Sequence, residues 1–183
     1  MLMADVFVWV FLILGLMIAL PATWLLFSAI SPKGVVRAQD RVRRMPIVTF
    51  FVGVGTIFLI VAAVAGLAAT ALAPLQTLAF IVTASGMAFA MFGVSGIARQ
   101  VGSMLPSAID RDNPWRAHLR GGIVLELSFL VPVLGWFLIL PLTLILGAGA
   151  ATLSILFRRA PAEAEASAPA VSKRLHQEVE AVL

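Results

Sequence analysis

The chain of 183 residues is 61% hydrophobic and 12% charged, has a formal net charge of +4 and contains no cysteine. Soluble domains run at about 45–50% apolar and 25% charged, so this composition leaves too little polar surface to cover a water-soluble fold. The missing thiols exclude disulfide frameworks, thiolate metal sites and thiol catalysis.

In chain order, unbroken apolar runs longer than a soluble core helix needs predict an all-α polytopic membrane bundle of about five transmembrane helices. Residues 6–30 carry no charge and reach across a hydrocarbon core of about 30 Å at about 1.5 Å per residue. The MLMAD start is not basic, and the run exceeds the apolar stretch of a secretory signal, so 1–31 reads as a retained N-terminal transmembrane helix. In 32–46, Pro32 opens a helix and Pro46 closes it. Projected at about 100° per residue, Lys33, Arg37, Arg41 and Arg44 share one side, opposite Val35, Ala38, Val42 and Met45. This pattern predicts a basic amphipathic interfacial segment, each cation contributing about 1 kcal/mol against anionic headgroups on the cytoplasmic side. The plainer reading is a positive-inside loop.

Residues 47–159 form a four-helix membrane module. Runs 47–73 and 77–98 are joined by the short uncharged turn Ala73-Pro74-Leu75-Gln76, which predicts an antiparallel hairpin. The run 121–157 would extend about 55 Å as one helix, so it must fold or break. Pro132 and the following Val133-Leu134-Gly135 offer the place, giving a short arm at 122–131 and a longer one at 136–157. The short arm gains length on its polar side from the helix-opening pair Asn113-Pro114. The pair reads as two spans, or as a re-entrant dip followed by one span. From 160 the chain is a Pro/Ala/Glu linker, and 172–183 is a short amphipathic tail with Leu175, Val179 and Val182 on one face. That tail is either a frayed end or a docking peptide.

All thirteen Lys and Arg residues fall in three segments: 32–46, 99–120 and the stretch after the last span. The positive-inside rule puts these on one side if there are five crossings, with the N-terminus extracytoplasmic and the C-terminus cytoplasmic, in a bacterial inner membrane. The basic charge is thereby accounted for by topology, and a nucleic-acid partner is not expected.

Glu126 is an acid near the start of the fourth run, where a carboxylate costs several kcal/mol unless paired, protonated or wetted. It reads as an ion or proton site or a contact for a partner's cation, or else as a depth marker within reach of Arg120 or Arg99. The small residues Gly86, Ala90, Gly93, Gly96, Gly147 and Ala151 suit close helix packing. Trp9, Trp24, Trp115 and Trp136 suit interfacial aromatic belts, and His118 an interfacial position. Asp110-Arg111-Asp112 reads as capping and charge balance. No nucleophile elbow, HExxH, phosphate-cradling glycine loop or CxxC is present, so neither an enzyme nor a cofactor is expected.

The stretch from Gly121-Gly122 through LVPVLGWFLILPLTLILGAGAATLSILFRR, together with RMPIVTFFVGVG at 44–55, resembles the multi-helix membrane module of bacterial polymer-forming cytoskeletal (bactofilin-type) membrane proteins over about 44–159. The resemblance implies a non-enzymatic membrane anchor or scaffold and brings no catalytic residues with it. Scarce polar groups in the spans point the same way, to a scaffold or accessory subunit that binds a protein partner or a second copy. The alternative is a small transporter or channel component coupled through Glu126.

Overall fold

The computed structural model describes residues 2–70, 72–105 and 114–157, and every regular element among them is helical. The linker and the tail with Leu175, Val179 and Val182 lie outside the described residues, as do Asp110, Arg111 and Asp112. The helices are α1 (Leu2–Ile30), α2 (Pro32–Arg44), α3 (Pro46–Ala68), α4 (Ala73–Ser103), α5 (Pro114–Phe129) and α6 (Pro132–Leu156).

Each helix after α1 has proline in its first or second position. There the missing N–H has no intrahelical partner to lose, and the fixed φ is already helical. Proline also drives the preceding residue out of the α region. Ser31, Met45 and Val131 accordingly have ψ of 68°, 61° and 111°. Inside α6, Pro141 cannot donate to the carbonyl four residues back. The helix widens just before it into a π turn over Gly135–Ile139, where the Leu140 N–H donates to the Gly135 carbonyl.

Two reversals lie earlier in the chain than the sequence reading put them. The α3–α4 reversal is at Ala69 and Thr70, and Ala73 through Gln76 form the first turn of α4. The α5–α6 reversal is at Leu130 and Val131. Pro132 begins the next helix, and Gly135 lies inside it, close against the Ser128 and Phe129 carbonyls. In both places a proline read as part of a turn works as a helix start. Four helices are long and apolar enough to cross a membrane: Asp5–Ile30, Pro46–Ala68, Ala73–Ser103 and Pro132–Leu156. At 16 residues, α5 is about 24 Å long.

At the centre of the bundle α4 packs on α6, with α3 and α2 against both and α5 against α4. The outlier is α1. It touches α5, α4 and α2, and its residues from Met3 to Leu14 are exposed wherever they are described, apolar apart from Asp5. For a water-soluble protein this surface would be untenable, whereas acyl chains cover it at no cost.

The apolar face of α2 goes to the protein interior and not to lipid. Val35 and Ala38 are 0% exposed, and α2 rests on α4 and α6. A Cβ on Gly96 would stand 2.8 Å from that of Ala38. The Gln39 amide donates to Gln100 Oε1 across the same seam at 3.1 Å. Arg41 lies over the Phe157 ring at the end of α6, 5.1 Å from its centroid, and Arg120 donates to the Leu105 carbonyl beyond α4. These contacts gather α2, the C-terminal ends of α4 and α6 and the N-terminal end of α5 at one end of the bundle. The reversals at 69–70 and 130–131, which carry no charge, lie away from it.

Candidate functional site

Helix α5 is held to α4 by small residues that repeat every four positions on both partners. Ala98 and Gly102 face Ala117 and Gly121 so closely that a Cβ on Gly102 would meet the Ala117 carbonyl carbon at 2.7 Å. One residue further along α5, Gly122 leaves room for Trp24 of α1, whose ring edge stands 3.0 Å from where a Cβ would be. Glu126 lies one helical turn beyond Gly122, on the same face. The residue spacing therefore aims the carboxylate toward α1 and the bundle interior, not along the interface.

Glu126 is 1% exposed, and neither carboxylate oxygen has a hydrogen-bond partner. Neither Arg120 nor Arg99 bonds to the Glu126 carboxylate. It lines a cavity of about 600 Å³ bounded by α1, α4, α5 and α6. The walls are apolar: Leu16 and Leu20 from α1, Met87 and Met91 from α4, Phe129 from α5 and Leu140 from α6. Trp9, Trp24 and Trp136 also line it. Trp24 is itself 1% exposed, and its indole N–H is a second buried polar group without a partner. The remaining polar liner, Thr143, donates to its own Ile139 carbonyl. Two of the residues lining the cavity, Glu126 and Trp24, thus carry buried polar atoms without a partner, in an otherwise oily, partly aromatic space.

Trp24 does not belong to an aromatic belt, because it is part of the core with Val94, Ile97, Ala98 and Leu125. Ser95 fixes its backbone, donating to the Trp24 carbonyl at 2.8 Å. The Ser95 hydroxyl also lies 3.5 Å from His118 Nε2. His118 is buried within the bundle. Trp9, Trp115 and Trp136 are exposed. No group of three or more His, Cys, Asp or Glu able to hold a metal occurs among the described residues.

The hydroxyls in the apolar helices are largely spoken for. Thr56, Thr83, Ser128, Thr143 and Thr152 each donate to the carbonyl four residues back in the same helix, and Thr49 to that of Met45, which caps α3. Thr56 and Thr152 also meet across the α3–α6 seam at 3.0 Å.

The structure brings most of the predicted packing residues together. Gly93 sits against the backbone of Gly147, and a Cβ on Gly147 would stand 2.7 Å from the Ala90 carbonyl oxygen. Gly86 meets Ile60 of α3 at 3.0 Å from its Cβ position, and Ala151 is buried. Sequence reasoning missed the second seam of α6. Gly149, two residues past Gly147, presents the opposite side of the helix to Thr49 and Gly53 of α3. It also missed the α4–α5 seam. For the α4–α5 seam the signal existed as small residues spaced four apart on both helices, Ala98 with Gly102 and Ala117 with Gly121, whereas in the α3–α6 seam only α3 carries it, in Thr49 and Gly53.

Of the surface cations, Lys33 and Arg44 are exposed, while Arg37 and Arg41 are partly covered. Arg37 lines a second cavity with Phe92 of α4 and Ser154 of α6. No protein-family model, no curated protein and no solved structure matches this chain.

Proposed function

We propose that this chain is a non-enzymatic inner-membrane scaffold or accessory subunit that anchors a protein partner or a second copy of itself. The observation that carries this reading is the way polar groups are used. Hydroxyls in the apolar helices are tied to their own helix carbonyls, and the glycines hold α3, α4, α5 and α6 in backbone contact. Such a body has little chemistry and a rigid, largely apolar outer surface. The resemblance of residues 44–159 to bactofilin-type membrane modules favours the same reading.

We further propose five crossings, with the N-terminus outside. The gathering of α2 and the ends of α4, α5 and α6 at one end supports this orientation, because it puts eight of the described cations together there: Lys33, Arg37, Arg41, Arg43, Arg44, Arg99, Arg116 and Arg120. On this account Lys33 and Arg44 meet anionic headgroups while the apolar side of α2 meets protein.

One observation favours the transporter or channel reading, the orphaned Glu126 beside a cavity. Purification in mild detergent distinguishes the two. A scaffold is expected as a complex of fixed stoichiometry, with another polypeptide or with itself, that survives Glu126→Gln unchanged. A solitary chain that carries ions into liposomes, with flux lost in Glu126→Gln, would replace the scaffold with a transporter.

A further inference from the structure

We propose that the cavity between α1, α4, α5 and α6 is a binding site for a lipophilic monovalent cation, an apolar body with an ammonium-like or phosphonium-like centre. The proposal does not depend on the scaffold reading. Its first support is the orphaned carboxylate: Glu126 is 1% exposed, with both oxygens unpartnered, on the wall of a cavity of about 600 Å³. An unpaired buried carboxylate is costly, and most such groups find a cation or a donor. None is supplied by the described residues around Glu126, so the ligand would bring the complementary charge.

The second support is the lining. Trp9, Trp24 and Trp136 stand around the same space, and indole faces attract cations, the more so when both are out of water. The volume falls in the range of about 300–1,000 Å³ typical of sites for drug-sized molecules. A small hydrated ion would leave most of this oily surface unfilled, and an anionic amphiphile would face the carboxylate. An organic cation whose charge is buried in hydrocarbon fills the space, pairs Glu126 and is already soluble in the bilayer that the exposed side of α1 meets.

The fourth wall matters as well. Only the C-terminal half of α1 is pinned, through Trp24 and Pro21, both of them buried, while Leu16 and Trp9 on the cavity side have no close backbone seam. This leaves the N-terminal half of α1 as the loosest wall of the cavity.

The test uses the full chain in a non-ionic detergent and two probes of nearly the same shape and opposite charge, tetraphenylphosphonium and tetraphenylborate. Equilibrium dialysis of the labelled cation is expected to give saturable binding of one cation per chain. The borate should not compete, and Glu126→Gln should weaken cation binding at least tenfold. Met87→Trp, which takes up cavity volume from the α4 side, should also abolish binding. If Glu126→Gln fails to fold, judged by its elution profile, Met87→Trp still decides. Equal binding of the two probes, absence of saturable cation binding, or wild-type affinity in a folded Glu126→Gln or Met87→Trp protein would each overturn the proposal.

Discussion

A methyl group placed on Gly93 would stand 2.5 Å from the Gly147 carbonyl carbon, so α4 and α6 would have to separate to admit it. Gly93→Ala is therefore expected to cost about 1–3 kcal/mol, read as a lower midpoint in a tryptophan-fluorescence melt in detergent. Gly55→Ala is the control: nothing lies within 4 Å of its Cβ position, and the change should stay within about 0.5 kcal/mol. Ser95→Ala removes the hydrogen bond to the Trp24 carbonyl and should lower the same midpoint by the equivalent of about 1 kcal/mol. An unchanged melt for Ser95→Ala would mean that Trp24 is positioned by packing alone. At this scale the sequence was partly legible. Gly93 and Gly147 stood out as small residues in long apolar helices. Trp24 and His118 did not reveal themselves as buried, because amphipathic side chains sit equally well in a belt or a core. Only the partner elements decide which, here Gly122 and Ser95.

Among the elements, the prolines explain most of what was legible and most of what was misplaced. Pro32, Pro46 and Pro114 were read as helix openings or boundaries and stand at the starts of α2, α3 and α5. Pro74 and Pro132 were read as parts of turns, yet they open α4 and α6. A proline marks a boundary without saying on which side of it the turn lies. At Pro32, Pro46 and Pro132 the residue before has left the α region, which places the turn on the N-terminal side. Helix α2 shows a different limit. Its amphipathic pattern was plain, but periodicity cannot tell whether the apolar face meets lipid or protein. Gly96, which admits Ala38, is what brings α2 onto α4. Ala38→Leu should accordingly cost about 1–3 kcal/mol, whereas Arg43→Ala, at an exposed position, should leave the melting midpoint within about 0.5 kcal/mol of wild type.

For the whole molecule, composition specified an all-helical fold with several long apolar helices, and the placement of charge specified one basic end. Glu126 was visible as an acid among apolar residues, but the cavity beside it was not. A cavity is a property of four helices that fail to close together, and no single one of them records it. The orientation that follows from the basic end is open to direct measurement, because a chain without cysteine accepts single-cysteine probes on an otherwise native background. Asp5→Cys and Leu183→Cys would be labelled with a membrane-impermeant maleimide in intact spheroplasts and again after permeabilisation. Five crossings with a cytoplasmic basic end predict labelling at position 5 from outside and at position 183 only after permeabilisation. Both positions reacting from the same side would contradict the account.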